Sequence, residues 1–391
     1  GCHAACPPRA SAYYRDGCGA GEAAASGPHG FGVQGCTDEM PAKRKAICIG
    51  INYAGSDAEL RGPVNDALRW VDVLTCSLGF PREGVLTMID EYPSGELVAE
   101  DDPNYPRPTQ ENILEGLDWL VQDASEGDSL VFVFSGHAVQ IPDTIAMDSD
   151  ARLDEALCPV DWDAFEWGVV PYRVITDEVL HQYFARLPSG ALLTVVIDSC
   201  IAGSAVRVPL RINFEYPDRE MENHSLTQAE YQDLAFDCDA WLRNAHVNAL
   251  PRRLPRQPSK PLWSKFAQMF TKETAPPLNE GLAVFCLTAC SGSQTALDAS
   301  LEGIAQGCMS YCLQQALELL NYRCTYLELC EAMDHIARNL RKEVMPYMDQ
   351  FFQLSYGKNA GPDECLVFDP GSAFVAKDKA KRRRGQRRRP A

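Results

Sequence analysis

The sequence predicts an α/β fold in which a mostly parallel β-sheet is flanked by helices on both faces. Short apolar runs that are typical of buried strands recur along the chain, and amphipathic helical stretches separate them. Strands and helices that alternate in this way pack most economically as a parallel sheet covered by helices. A chain of 391 residues is also long enough to bury a substantial core.

The predicted elements follow one another from residue 45 onward. Apolar runs predict strands in KAICIGINY, GVLTMID, DSLVFVFSGH, ALLTVVIDSC and GLAVFCLTAC, and QFFQLSYG is a closing strand-like segment. Helical periodicity predicts helices in NDALRWVDVLTCSLGF, TQENILEGLDWLVQDA, DEVLHQYFARL, MSYCLQQALELL and TYLELCEAMDHIARNLRKEV. Thr109 is expected to cap the second of these helices. Residues 91–108, with their acids and prolines, indicate a surface loop.

Three segments flank or interrupt this pattern. Residues 1–42 are rich in small residues and proline, which predicts a disordered leader. Residues 209–280 carry many prolines and scattered charge, which predicts a flexible, solvated insertion. Residues 371–391 form a basic tail that we expect to be disordered. The leader contains four cysteines, but their spacing is not the paired spacing of a zinc site.

The charge is distributed unevenly along the chain. Thirty-six basic and 54 acidic residues give a net charge of −18. Residues 377–391 contain nine basic residues and one acid, a charge of +8, which leaves −26 for residues 1–376. A body this acidic excludes a protein that wraps nucleic acid over its whole surface, and it favours cationic ligands and basic peptides. The tail has four interpretations: a solvated end, a nuclear address, a patch for nucleic acid, or a segment attracted to an acidic cleft.

The cysteine content and the absence of targeting signals indicate a reducing compartment. Sixteen cysteines are too few for a disulfide scaffold of this length. The sequence shows neither a secretory signal nor an apolar run long enough to span a membrane. We therefore expect a cytoplasmic protein, or a nuclear one if the tail is an address, with no membrane attachment and with free, buried thiols.

Two predicted strands end in reactive side chains. His137 follows the strand in VFVFSGHA, and Cys200 follows the strand in TVVIDSC. In a parallel sheet, such ends meet at one edge, where functional sites form. A cysteine attacks as its thiolate, and a neighbouring imidazole can take the thiol proton and later protonate a leaving amine. Either residue alone is more often structural, and their shared position singles out the pair.

These residues also carry a family resemblance. VFVFSGHA resembles the F-x-Y-S-G-H-G segment of metacaspases, and TVVIDSCIAG resembles their D-S-C-H-S-G segment. The likeness extends to AICIGINYAGSDAELRGPVNDA, LDEALCPVDW and MDQFFQLSYG, and it covers about residues 45–210 and 280–370 in the family's order. The resemblance implies a caspase-like fold with a large-subunit-like catalytic region at 43–208 and a small-subunit-like region at 281–370. It implies a cysteine endopeptidase that cleaves after Arg or Lys.

The resemblance assigns roles residue by residue. Cys200 would be the nucleophile and His137 the general acid and base, with the backbone N–H groups of Ala138 and Cys200 as oxyanion donors. The substrate pocket would use three side chains, Asp66, Ser135 and Asp198. The strand geometry agrees for Asp198, because a residue two positions before Cys200 points to the same side as the thiol. A helix-terminal acid is the alternative interpretation of Asp66.

The sequence departs from the family pattern close to both catalytic positions. Ala138 replaces a glycine, and Ile201 and Ala202 replace a histidine and a serine after the cysteine. None of these is the nucleophile or its base, so we expect an altered rate or pocket shape. A catalytically silent caspase-fold scaffold is the alternative that these departures support.

A further departure concerns calcium, which activates many metacaspases. Asp154, Asp177 and Glu178 match acids of the family's calcium site, but Arg207 stands where another acid is usual. Because Ca²⁺ requires several oxygen ligands, a cation there opposes its binding. Arg207 could instead pair with Asp154 or Asp177 and replace the ion. The Cys–His chemistry itself requires no cofactor.

Self-processing is a further expectation. An enzyme that cuts after Arg or Lys would find its own targets in the insertion, and the candidates are Arg211, Arg219, Arg252, Arg253, Arg256 and Lys260. The alternative is that this segment is only a solvated loop. We expect the partners to be protein or peptide substrates with Arg or Lys at the cleavage site, and the protein to act as a monomer.

Overall fold

The computed structural model describes nine parts of the chain: residues 42–142, 153–162, 173–200, 210–213, 250–252, 277–290, 294–346, 348–358 and 360–371. The strands are β1 (Arg44–Gly50), β2 (Val85–Ile89), β3 (Ser129–Ser135), β4 (Ala138–Pro142), β5 (Leu153–Leu157), β6 (Ile175–Thr176), β7 (Leu192–Asp198), β8 (Leu210–Asn213), β9 (Leu250–Pro251), β10 (Ala283–Thr288), β11 (Leu297–Leu301), β12 (Ile304–Gly307) and β13 (Gln353–Tyr356). The α-helices are α1 (Pro63–Asp72), α2 (Gln110–Val121), α3 (Asp177–Phe184), α4 (Cys308–Leu319) and α5 (Tyr326–Glu343).

A seven-stranded, mostly parallel sheet organises the described residues. Its strand order is β2-β1-β3-β7-β10-β13-β8. The first five strands pair in parallel, whereas β13 runs antiparallel to both β10 and β8. Every residue of β3 and β7 is buried, as expected for strands that are covered on both faces. All six predicted strands are present, and the mostly parallel α/β prediction is confirmed.

Helices cover both faces of the sheet. Trp70 of α1 belongs to one buried cluster, together with Leu313 of α4 and Leu329 of α5. Leu117 of α2 and Phe184 of α3 belong to the other cluster, on the opposite face. The alternation of the strands sends successive side chains to these two clusters, which explains why the middle of each strand is largely apolar on both faces. The predicted flanking helices are therefore confirmed on both sides.

Local signals at the helix ends agree with the sequence. The side chain of Thr109 caps α2 by accepting a hydrogen bond from the Asn112 N–H. Thr325 and Glu328 form a reciprocal capping box at the start of α5. The first predicted helix is shorter than its periodicity suggested, because α1 ends at Asp72 and a turn of π-helix, Val73–Ser77, continues it.

Two small sheets lie beside the central one and were not predicted. One contains β4, β5 and β6, and the other contains β12, β11 and β9. Their strands have two to five residues, too few to establish a clear alternation of polar and apolar positions. Strand β4 follows the carboxyl end of β3 in the sequence. Arg252, which follows β9, accepts a hydrogen bond from Cys200 beyond the carboxyl end of β7. Both small sheets therefore supply parts of the site described below.

The prediction that residues 209–280 form a solvated insertion is wrong for two of its parts. Strand β8 pairs with β13 over four residues, and β9 pairs with β11. Arg252, directly after β9, is fully buried. The cause is electrostatic for Arg252, because carboxylates surround its side chain inside the protein. Most of the insertion, the predicted leader and nearly all of the basic tail lie outside the described residues.

The structure describes eleven of the cysteines, and ten of them are buried. Among the described helices, none has the length and apolar composition that crossing a bilayer requires.

Candidate active site

His137 and Cys200 lie beyond the carboxyl ends of two neighbouring strands. Strands β3 and β7 pair in parallel, and the last residue pair in their register is Ser135 with Asp198. The Gly136 N–H continues this pairing by donating to the Asp198 carbonyl at 3.4 Å. His137 lies two positions after Ser135, and Cys200 lies two positions after Asp198. The register of the sheet therefore brings His137 and Cys200 to the same edge, as the sequence predicted.

The imidazole of His137 is buried and held in one orientation. Its Nε2 lies 2.8 Å from the Ala58 carbonyl oxygen. Since a carbonyl can only accept, Nε2 carries the hydrogen, and in the neutral ring Nδ1 has a free lone pair. The Tyr53 ring packs against the imidazole at a centroid distance of 4.7 Å, and the Tyr53 hydroxyl contacts the His137 N–H at 2.9 Å. The chain thus presents Nδ1 as the basic nitrogen.

The ring of His137 is neutral at physiological pH. Burial lowers the pKa of His137 to about 4, and the main chains of Ala58 and Arg252 oppose this shift only partly. Within the described residues Nδ1 has no hydrogen-bond partner of good geometry. A neutral imidazole with an unoccupied Nδ1 can accept a proton from a thiol.

Cys200 is fully buried, and its thiol lies against the start of β11. The sulfur accepts a hydrogen bond from the Ala296 N–H at 3.1 Å and lies 3.5 Å from the Ala296 carbonyl oxygen. The Cys200 N–H points to a different partner, the carbonyl oxygen of Arg252, at 3.4 Å. A main-chain carbonyl from the predicted insertion therefore lies against a backbone donor of the residue that the sequence identifies as the nucleophile.

The three predicted pocket residues meet in one buried cluster. Asp66 on α1 accepts hydrogen bonds from the Ser135 hydroxyl at 2.7 Å and from the Gly307 N–H at 3.1 Å. Asp198 accepts from the Ser310 N–H at 2.8 Å, in the first turn of α4. The helix N-terminus supplies donors and a favourable dipole to both acids. The prediction that Asp66, Ser135 and Asp198 lie together therefore agrees with the structure.

The guanidinium of Arg252 occupies the centre of this cluster. Its Nη2 lies 2.7 Å from Asp66 and 3.0 Å from Asp298. Its Nη1 lies 2.5 Å from the Ser135 hydroxyl and 3.3 Å from the Asp198 carboxylate. Although burial disfavours the cation, the three carboxylates outweigh burial and raise the pKa of Arg252, so it stays charged.

Asp298 on β11 is the functional residue that the sequence reasoning missed. It is buried, and its Oδ2 accepts from the N–H groups of Arg61 and Gly62 at 2.8 and 3.1 Å, which leaves Oδ1 for Arg252. The sequence signal was weak, since Asp298 is one acid in a short, irregular strand. Only the pairing of β11 with β9 shows that this strand borders the pocket.

The pocket carries an excess of negative charge. Three buried carboxylates surround one buried guanidinium. Burial raises the pKa of Asp66 to about 7, and the neighbouring Asp198 adds to this effect, while Arg252 and Ser135 counteract it. The cluster therefore holds a cation, Arg252, among its acids.

The backbone directly before Arg252 is extended along the site. Strand β9 pairs antiparallel with β11, in the register Pro251 opposite Leu297. The Arg252 N–H then donates to the Ala296 carbonyl at 2.9 Å. A short extended segment thus adds to a strand edge, and Arg252 at its end places its side chain in an acidic pocket and its own carbonyl oxygen at the Cys200 N–H. This is the geometry of strand addition, in which main-chain hydrogen bonds hold an extended segment and a pocket holds its side chain.

The predicted calcium residues that the structure describes lie on β5 and at the start of α3. Asp177 is buried in the first turn of α3, with Glu178 beside it, and Asp154 lies on β5. Arg207, Ile201 and Ala202 lie outside the described residues. The described residues include no group of three or more His, Cys, Asp or Glu side chains that could hold a metal ion. The calcium expectation stays a prediction.

Comparisons with known proteins agree with the geometry. The family model of the metacaspase, peptidase C14 domain matches residues 44–209. Metacaspase-1A of Aspergillus terreus is 30% identical over 307 residues, which are 78% of this chain and 70% of that protein. Metacaspase-1 of Coccidioides immitis is 37% identical over 185 residues, which are 46% of this chain and 36% of that protein.

A solved structure shares the fold at low sequence identity. Protein GSU0716 of Geobacter sulfurreducens superposes with a TM-score of 0.50 and 17% identity, over 82% of this chain and 95% of that one. At this identity the likeness concerns the fold alone.

The structure predicts that Gly307 is required for an arginine to enter the pocket. Its φ of −71° suits any residue, so the requirement is for space. A Cβ at Gly307 would lie 2.1 Å from Asp198 Oδ2 and 2.6 Å from Arg252 Nη1. We expect Gly307→Ala to displace Arg252 and to lower the free energy of unfolding by about 1–3 kcal/mol. Limited trypsin digestion of a Cys200→Ala background checks this, because displaced Arg252 becomes a trypsin site.

Gly357→Ala is the matched control for this prediction. A Cβ at Gly357 would meet its nearest neighbours only at 3.8 Å or beyond, which is ordinary contact. Trypsin should leave Arg252 protected in that variant. If trypsin also left Arg252 uncut in Gly307→Ala, then Gly307 would not border the pocket as the structure shows.

Proposed function

The chain belongs to the metacaspase family of cysteine endopeptidases, and we propose that it cleaves peptide bonds after arginine or lysine through Cys200 and His137, beginning with its own bond after Arg252. The observation that supports this proposal is the position of Arg252. One residue places a guanidinium among three carboxylates, and it places its carbonyl oxygen at the Cys200 N–H. A substrate of this enzyme class needs both contacts.

The proposed chemistry assigns one atom to each step. Nδ1 of His137 takes the proton of the Cys200 thiol, and the sulfur attacks the substrate carbonyl carbon. The bond from that carbon to nitrogen breaks, and His137 gives the proton to the departing amine. Water then hydrolyses the thioester, which frees the new carboxylate and restores the thiol. The backbone N–H of Cys200, with that of Ala138 as its expected partner, stabilises the oxyanion by a few kcal/mol.

The acidic pocket supports a basic residue before the cleaved bond. A neutral side chain would leave three buried carboxylates without a cation, which is costly. The same pocket therefore excludes apolar and acidic residues and accepts basic ones. The acidic body of the protein also attracts basic segments from a distance, because residues 1–376 carry a charge of −26.

Purified wild-type protein is expected to cut itself after Arg252. Cys200→Ala and His137→Ala should remain intact, because each lacks one half of the proposed pair. Arg252→Gln should also lose this cut, since Gln supplies no cation to the pocket. Intact mass and N-terminal sequencing check the result, with Arg253 expected as the new first residue.

Arg253→Gln is the matched control for self-cleavage. It changes a neighbouring arginine without touching the side chain that fills the pocket, so the cut after Arg252 should persist. Self-cleavage of Arg252→Gln at this same bond, or of Cys200→Ala at any bond, would contradict the proposed roles.

A peptide assay tests the specificity in trans. Fluorogenic peptides that end in Ala-Leu-Pro-X follow the chain's own segment, with X as Arg, Lys or Gln. We expect kcat/KM for Arg and Lys to exceed that for Gln by about 10³-fold or more, because Gln leaves the pocket acids unpaired. Assays with calcium and with a chelator, each including Cys200→Ala, show at the same time whether this member uses the ion. Equal rates for all three peptides would overturn the proposed specificity.

Binding of a guanidinium should become tighter as the pH rises above about 7. The pKa of Asp66 is about 7 with Arg252 in place, and Arg252 lowers it, so the empty pocket has a higher value. At a pH between these two pKa values, binding of the guanidinium releases a proton from Asp66. The affinity therefore increases as the pH rises. Below pH 7 Asp66 is protonated in both states, and the affinity should level off.

Competitive inhibition of the self-cleaved enzyme by butylguanidine measures this dependence. Its inhibition constant should fall by up to about tenfold for each pH unit within that window. Asp66→Asn should flatten the profile. An unchanged pH profile in Asp66→Asn would contradict the assignment of the titrating group.

A further inference from the structure

The pocket contains a third acid, Asp298, whose position suggests a role beyond holding a positive charge. We propose that Asp298 makes the pocket select arginine over lysine. The proposal rests on the function proposed above and narrows its substrate class. It comes from the contacts that each nitrogen of Arg252 makes, and from the way in which Asp298 is fixed.

The two terminal nitrogens of Arg252 have separate partners. Nη1 contacts Ser135 and both the main chain and the carboxylate of Asp198, at 2.5 to 3.3 Å. Nη2 contacts Asp66 at 2.7 Å and Asp298 at 3.0 Å. Both acids contact Nη2 alone, but the Asp66 oxygen that does so also accepts hydrogen bonds from Ser135 and Gly307, whereas the Asp298 contact is made by Oδ1 and its other hydrogen bonds are made by Oδ2. The planar fork of the guanidinium is what lets one side chain reach all of these groups.

A lysine in the same position would not reach Asp298. Its Nζ follows as many bonds from the backbone as the central carbon of the guanidinium, so it stops one C–N bond, about 1.3 Å, short of Nη2. The lysine ammonium has three N–H donors on one nitrogen, whereas the acceptors of this pocket surround both terminal nitrogens of the Arg252 guanidinium. Lysine would keep contacts with some of Ser135, Asp66 and Asp198. Its ammonium would not reach Asp298 Oδ1, which would then lose the donor that Nη2 of arginine provides.

Asp298 is held too firmly to move toward a shorter side chain. Its Oδ2 accepts from the N–H groups of Arg61 and Gly62, at 2.8 and 3.1 Å. A Cβ on Gly62 would lie 2.0 Å from Asp298 Oδ1, so the α1 N-terminus packs directly against this carboxylate. Asp298 is also 97% buried, with a relative exposure of 3%. A fixed, buried acceptor discriminates by distance, because leaving it unpaired costs more than losing an exposed contact.

The first test measures peptide specificity after self-cleavage. In Asp298→Asn, the side-chain oxygen can still accept from Arg61 and Gly62, while the pocket loses one charge and the acceptor for Nη2. We expect kcat/KM to fall about 10- to 100-fold for the Arg peptide, mainly through KM, and less than about threefold for the Lys peptide. The Arg-to-Lys ratio therefore falls. Glu302→Gln, an exposed acid after β11, should leave both rates unchanged.

The ratio separates a specificity role from a structural one. If Asp298 only supported the loop at Arg61, both peptides would lose activity equally and the ratio would stay constant, which would overturn the proposal. If the wild type cleaved both peptides and the ratio did not change in Asp298→Asn, this inference would fail while the proposed function stood.

A second test needs no activity. In the Cys200→Ala protein, Arg252 stays in the pocket as an internal ligand. We expect Arg252→Lys to lower the stability much more when Asp298 is present than in the Asp298→Asn background. A double-mutant cycle of urea unfolding measures this coupling. Equal effects of Arg252→Lys in both backgrounds would overturn the proposal even if the protein cleaved no peptide.

Discussion

The buried guanidinium of Arg252 is the interaction on which the geometry of the site depends. It joins α1 through Asp66, the ends of β3 and β7 through Ser135 and Asp198, and β11 through Asp298. Three carboxylates brought this close would repel one another and lose their hydration without a cation between them. The loops beyond the parallel strands therefore take their arrangement from one charged side chain that comes from a remote segment of the chain.

The sheet supplies the second constraint, which is positional. Parallel pairing of β3 with β7 sets Ser135 opposite Asp198, and this register places the imidazole and the thiol two residues farther along at the same edge. The small sheet of β9, β11 and β12 then extends the edge outward. Segment 250–252 lies along it as a strand, so its carbonyl meets Cys200 and its side chain meets the acids. Register fixes where the thiol and the imidazole lie, and charge holds the Arg252 side chain beside them.

Much of this could be predicted from the sequence, because the signals were local. The apolar runs gave the six main strands, and the strand-to-turn endings at His137 and Cys200 identified the reactive edge. Asp198 could be placed beside Cys200 because side chains alternate along a strand. Asp298 and the burial of Arg252 could not be predicted in this way. Each depends on pairing between β9 and β11, which are 47 residues apart at their first residues and too short for a periodic signal.

The interpretation of the insertion as a solvated loop failed for a physical reason that composition conceals. Proline and scattered basic residues usually indicate solvated chain, because a lone guanidinium loses far more hydration energy on burial than it regains. The balance reverses when several acids surround the guanidinium, and here N–H groups at the starts of α1 and α4 also hold these acids by hydrogen bonds. The same balance governs what must follow if that segment leaves. The pocket would then hold three carboxylates and no cation, so it would have to bind another basic side chain, admit water or take up protons. A pocket that is unstable when empty favours a cation, so the acids that hold Arg252 in place would also favour a basic side chain in the proposed substrate.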